Sequence, residues 1–337
     1  MAKAIIVLED GTSFEGRSFG AEGEKIGEVI FNTQIIGWQE MITDPSYQDK
    51  IISIGYPHVG NYGINPRCFE SETAHASALI VKEYSRIYSN WQATGPLDEF
   101  MKKNGVMGLE GIDTRALTIH LREHGEMRGI VSTKIADKDK LVEKARQYQV
   151  PDLVSEIRSP KTESNAKSKI TIINLGVNNS TLARFPGANV VSYDISAEKL
   201  LEMKPEQVVI SSGPGDPRKL TDLVQEIKKL VGKVKLYGIQ NGACVLALAL
   251  GCSVYRMKVG HHGMNQPVVE PDSGKGEITS QNHSYGIDRL ASGVEAAHIN
   301  LNDRTVEKFI ARSGKCVGTL YFPVDERGKL PKDYKLV

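Results

Sequence analysis

Short apolar runs broken by turn residues dominate the first half of the chain. Residues 4–8, 28–33, 50–54 and 77–81 are β-type runs, punctuated by Asp10-Gly11, Gly16, Gly37 and the cluster from Pro57 to Gly63. Two helices are expected to follow. Residues 97–103 come after Thr94-Gly95-Pro96, and residues 114–124 come after Asp113, a good N-cap, with Leu117, Ile119 and Leu121 set among basic and polar positions. Residues 151–168 are polar and carry proline, serine and lysine, which reads as a linker.

Beyond the linker the pattern alternates between buried strand and helix. Residues 170–175, 189–192, 207–211 and 235–238 read as strands, and residues 179–185, 196–203, 220–230 and 242–250 as helices. That order predicts an α/β fold, a doubly wound, mostly parallel sheet with helices on both faces, preceded by a strand-rich mixed α/β domain. The expected division is domain 1–150, linker 151–168 and domain 169–337. Sites on such sheets lie at the carboxyl ends of strands.

A length of 337 residues fits about two domains. Basic and acidic residues balance at 42 against 41, and no basic stripe stands out, so neither nucleic acid nor a membrane is expected as partner. Cys68, Cys244, Cys252 and Cys316 form no C-x-x-C pair and no zinc-like spacing, which points to a reduced, cytoplasmic setting. The apolar start is too short for a signal sequence, and no stretch approaches transmembrane length.

The candidate chemistry lies at Gly238-Ile239-Gln240-Asn241-Gly242, a strand entering a helix through a tight G-x-X-x-G turn. In a nucleophile elbow of this kind the glycines permit a strained backbone, and the middle residue projects at the helix N-terminus. Here that residue is Gln240, whose carboxamide is no nucleophile. The loop Gly213-Pro214-Gly215-Asp216-Pro217 follows the preceding strand and could supply half of an oxyanion hole, with the N–H of Asn241 as the other half. Alone, such a loop is usually a plain turn.

The order Gly-Pro-Gly-Asp-Pro, elbow, Gly260-His261-His262-Gly263 and Gln281-Asn282-His283-Ser284-Tyr285 resembles the triad-type glutaminase domain of the carbamoyl phosphate synthetase small subunit. The first half is similar to that subunit's own N-terminal domain, through 27–33, Gly37-Trp38-Gln39-Glu40, Asp44-Pro45-Ser46-Tyr47, Tyr56-Pro57-His58 and Gly111-Ile112-Asp113-Thr114-Arg115. The resemblance covers nearly the whole chain. It implies a subunit that hydrolyses glutamine and passes ammonia to a large synthetase subunit, with no cofactor of its own. The chemistry is that of a cysteine nucleophile, a histidine base and an orienting glutamate.

The family elbow Gly-Ile-Cys-Leu-Gly-His-Gln is here Gly238 to Cys244, so the nucleophile has become Gln240. The family's His-Pro-Glu stretch is matched by Phe322-Pro323-Val324, and no histidine follows His298. Base and orienter are therefore Phe322 and Val324, neither able to transfer a proton. By the same resemblance the glutamine pocket carries over to Ser46, Gly213, Gly215, Asn241, Cys244, Asn282, Ser284 and Tyr285. Ser46, Gly213, Gly215 and Asn282 are retained, whereas Asn241 and Cys244 replace leucine and glutamine. Cys244 sits one helical turn beyond Gln240, roughly 6 Å deeper, where a cysteine is usually inert packing.

His261 and His262 look like a metal motif, but adjacent residues on an extended segment point to opposite sides, and no metal is expected there. The tail 325–337 is too polar and proline-broken for the family's final amphipathic helix. Three readings stay open: a glutaminase-inactive small subunit that docks an ammonia-using large subunit, a free-standing pseudoenzyme binding glutamine or another small ligand, and an active glutamine amidotransferase with an unusual nucleophile.

Overall fold

The computed structural model describes residues 2–134, 137–157 and 168–323. Val324 and the tail 325–337 lie outside the described residues. The chain divides into two compact units, Met1–Leu153 and Val154–Val337.

The first unit is built on a closed seven-stranded barrel. Its strands are β1 (Lys3–Leu8), β2 (Ser13–Gly20), β3 (Glu24–Asn32), β4 (Lys50–Ile54), β6 (Ala78–Val81), β8 (Met107–Glu110) and β9 (Met127–Ser132), in the order β1-β2-β8-β6-β4-β3-β9. Two short strands, β5 (His58–Val59) and β7 (Glu83–Tyr84), pair separately. Strands β3, β4, β6 and β8 run parallel to their neighbours in turn. Such strands are apolar on both faces. Val29, Ile51, Ala78 and Ile80 join one core, and Ile30, Ile52, Ile54, Leu79 and Val81 join another, as the period-2 alternation of a strand requires.

The helices Leu97–Lys103 and Thr114–His124 fall where the sequence places them. Asp113 caps the second by accepting from the Ala116 N–H at 2.9 Å. The helices Trp38–Thr43 and Lys138–Gln147 and the strands β2, β8 and β9 have no counterpart in the sequence reading. β2 reads Ser-Phe-Glu-Gly-Arg-Ser-Phe-Gly, with too little apolar alternation to stand out, and is held by pairing with β1 and β8.

The segment expected as linker, 151–168, contains a helix near its start. Leu153–Glu156 is a short helix whose Leu153 and Val154 are buried, so this apolar pair orders the start of the segment. Residues 158–167 lie outside the described residues.

The second unit carries a nine-stranded sheet. Strands β10 (Ile170–Asn174), β11 (Asn189–Ser192), β12 (Gln207–Ile210), β13 (Lys235–Ile239) and β18 (Cys316–Thr319) are parallel. Beyond them β14 (Ser253–Val269), β15 (Gly276–Arg289), β16 (Val294–Asn300) and β17 (Val306–Ala311) are antiparallel. The order across the sheet is β11-β10-β12-β13-β18-β17-β16-β14-β15. Helices cover both faces of the parallel half. Ile173, Val208, Ile210 and Leu236 pack with Leu223, Ile227, Ala243 and Leu246, while Ile172, Val209, Tyr237 and Ile239 pack with Phe185 and Leu182. Among the described residues no helix is long and apolar enough to cross a membrane.

Candidate functional site

β13 ends at Ile239 and the helix Asn241–Ala249 begins two residues later, leaving Gln240 as the whole turn. Gln240 has φ 50° and ψ −115°, a backbone region that side-chain-bearing residues rarely occupy. The strained elbow expected from the sequence is present, with Gln240 at its tip. The flanking glycines are demanded by packing. A Cβ on Gly242 would lie 2.1 Å from the Ile210 carbonyl oxygen, and one on Gly238 would lie 2.6 Å from Ala243 Cα. The Gln240 N–H donates to the Thr319 carbonyl at 2.7 Å, tying the elbow to the end of β18.

Three residues beyond Thr319 comes Phe322, half-buried, its N–H donating to the Ser280 carbonyl at 2.8 Å. Phe322 thus follows the strand end that the Thr319 carbonyl ties to the elbow. Gln240 and Asn241 are themselves buried. Asn241 Nδ2 donates to the carbonyls of Gly213 at 2.7 Å and Gly215 at 3.0 Å. The Gly-Pro-Gly loop is thereby fastened to the first residue of the elbow helix, a role the sequence did not disclose.

Cys244 is fully buried in the helix, and its Sγ lies 3.9 Å from the Tyr285 carbonyl. Burial, with the negative charges of Glu307 and Asp216, pushes its thiol up to about 12. A thiol held that far from ionisation has no nucleophilic role at neutral pH. Asn282, Ser284 and Tyr285 lie on β15, and Arg218, paired with Asp216, sits 5.3 Å over the Tyr285 ring. Ser46 belongs to the first unit, where its Oγ donates to Asp44 Oδ1 at 2.6 Å.

Every histidine of the second unit is engaged. His261 Nδ1 lies 2.9 Å from Glu307 Oε1, and its Nε2 lies 2.9 Å from Asp303 Oδ2. Burial opposes a charge on His261, but the two carboxylates outweigh it and raise the ring to about 9. Glu307 is held well below the usual range, because His283 and His261 together overcome the cost of its burial. His262 turns the other way, to Asn282 Oδ1 at 2.7 Å. His298 meets the Tyr321 hydroxyl at 2.8 Å and Glu277 at 3.2 Å.

The first half of the chain, residues 6–131, matches the family model described as carbamoyl-phosphate synthase small chain, CPSase domain. Residues 179–323 match the one described as glutamine amidotransferase class-I. The chain is 38% identical to the carbamoyl phosphate synthase small chain of Listeria monocytogenes, across 99% of this chain and 95% of that one. It is 39% identical to the small chain of Archaeoglobus fulgidus, across 98% and 95%. A solved structure described as a glutamine amidotransferase from Thermotoga maritima aligns with TM-score 0.34 at 20% identity, over 45% of this chain and 74% of that one. At the identity and coverage of the two small chains, this chain belongs to the carbamoyl phosphate synthase small-chain family, with the family's small-chain domain followed by a class I glutamine amidotransferase domain.

Proposed function

We propose that this small chain is inactive as a glutaminase and serves as a structural or regulatory partner of a synthetase large subunit that uses free ammonia. The observation that carries the reading is the elbow: a backbone held at φ 50° for a nucleophile, occupied by Gln240, next to a strand end that offers Phe322. A glutaminase needs a group to attack the amide carbon and a group to move its proton, and neither position supplies one. The histidines of the same unit are bonded to partners of their own, and Cys244 is a buried, unionised thiol.

Docking is supported by the first unit. Ile87 and Trp91 are 82% and 89% exposed, and Ile35 and Ile36 are exposed on a second loop. Both loops lean on the 61–65 segment: Tyr62 OH accepts from the Gly37 N–H at 3.0 Å, and Asn65 Nδ2 donates to Gln92 Oε1 at 3.1 Å. Exposed apolar side chains on loops tied to a common segment suit a surface that a protein partner covers.

Co-expression with a large subunit tests this. The expected result is a co-purifying complex that makes carbamoyl phosphate from ammonia and not from glutamine, with association weakened by Trp91→Asp. A chain that never associates contradicts the proposal.

A further inference from the structure

Three strands of the antiparallel half bring His261 (β14), His283 (β15) and Glu307 (β17) together, with all three side chains buried. One nitrogen or oxygen from each lies within 4.8 Å of the others. Among the described residues this is the one such grouping of histidine, cysteine and carboxylate.

The atoms that face away from the centre are all fixed. His283 Nδ1 lies 2.9 Å from the Tyr285 carbonyl oxygen, which can only accept, so Nδ1 carries the hydrogen and Nε2 is turned inward. There Nε2 meets Glu307 Oε2 at 3.3 Å and Gln281 Oε1 at 3.2 Å. His261 Nε2 is oriented by Asp303 Oδ2, leaving Nδ1 to face inward. Glu307 Oε1 accepts from Thr305 Oγ1 at 3.0 Å and Asn300 Nδ2 at 3.3 Å. Glu307 Oε2 is fully buried, makes no well-formed hydrogen bond, and meets His283 Nε2 at 3.3 Å.

An imidazole whose outer N–H is held by a carboxylate or backbone carbonyl, with its other nitrogen turned toward the ion, is how metal-ligating histidines are set. His283 Nε2 and Glu307 Oε2, 3.3 Å apart, match the spacing of two ligands around a four-coordinate ion, roughly 3.3 Å when the bonds are about 2.0–2.1 Å, and the third donor, from His261, falls within 4.8 Å of the others. Charge also fits. Glu307 and Asp303 carry two negative charges into this network, and a divalent cation that displaces the proton shared with His261 balances them.

We propose that His261 Nδ1, His283 Nε2 and the Glu307 carboxylate bind a zinc-class divalent ion, with Asp303 as the residue that positions His261. Two imidazoles and one carboxylate form a borderline nitrogen and oxygen set, suited to zinc or cobalt and not to calcium or magnesium. Entry is from the side of Asp303, whose side chain is 41% exposed. The ion would tie β14, β15 and β17 together behind Cys244. His262, the adjacent histidine, takes no part, since its ring is bonded to Asn282 on the opposite side.

The test uses the full chain stripped with a chelator and dialysed. Titration with zinc chloride is expected to give one equivalent bound and a melting temperature that rises with zinc. Cobalt(II) should give the visible absorption of a low-coordinate nitrogen and oxygen site. Glu307→Gln and His283→Ala should abolish the stoichiometric binding, and His262→Ala should leave it. If the buried variants fail to fold, Asp303→Asn, on the rim, should still weaken binding about 10–100-fold. No stoichiometric uptake by the stripped chain overturns the proposal. So does uptake undiminished by Glu307→Gln or Asp303→Asn, which would place the ion elsewhere.

Discussion

The backbone N–H of Gln240 donates to the carbonyl of Thr319 at 2.7 Å, fastening the tip of an elbow to the strand end that leads to Phe322. The elbow carries an amide, Gln240, and the strand end leads to a phenyl ring, Phe322. Gln240→Cys should therefore fold normally, because φ and ψ at 240 are set by the surrounding packing. It should still release no glutamate, because a thiol without a base beside it stays protonated. Turnover restored by this single change would show that a base is present after all.

The clamp made by Asn241 gives a stability prediction. Asn241→Ala strands the buried Gly213 carbonyl and the partly buried Gly215 carbonyl, and should cost about 1–3 kcal/mol. A urea titration should show a lower midpoint at unchanged slope. An unmoved midpoint would mean that the loop is held by other contacts.

The cysteines should sort by burial. Cys244, Cys252 and Cys316 are buried, Cys68 only partly so. With its thiol pushed up to about 12, Cys244 should resist iodoacetamide at neutral pH in the native chain and react once denaturant is added. Mass spectrometry of the native protein should find any adduct at Cys68. Rapid native labelling at Cys244 would contradict the burial argument.

His75 supplies an acid-sensitive contribution. Its ring is bonded to Gln48 Oε1 at 2.7 Å, and burial lowers it to about 4 from an ordinary 6.5. The unfolded chain binds the proton more readily, so the contribution is complete above pH 6.5 and is lost as pH falls toward 4. Urea midpoints between about pH 7 and pH 4.5 should fall, and His75→Gln should flatten that fall. An equal slope in the variant would remove His75 from the account.

Parts of this architecture were legible because the signal was local. Asp113 marks its helix start, and Gly238 and Gly242 mark the elbow, since backbone atoms crowd the places where their side chains would be. The barrel closure was not legible. Ser13–Gly20 and Met107–Glu110 close the barrel by pairing with each other across about ninety residues, and no apolar alternation within them announces it. The same holds within the site. The Asn241 clamp and the His261, His283 and Glu307 cluster are assembled from separate segments, so the sequence displayed the adjacent His261-His262 pair while concealing the grouping that forms. The Leu153–Glu156 helix was hidden by the polar residues that follow it.

Under the proposed function this chain does not hydrolyse glutamine. Glutamate release by the purified full-length chain, alone and with a synthetase large subunit, measures it directly. The expected result is no release above buffer in either case, while the complex still consumes ammonia. Glutamate release that requires this chain, and that Cys244→Ser abolishes, would contradict the account.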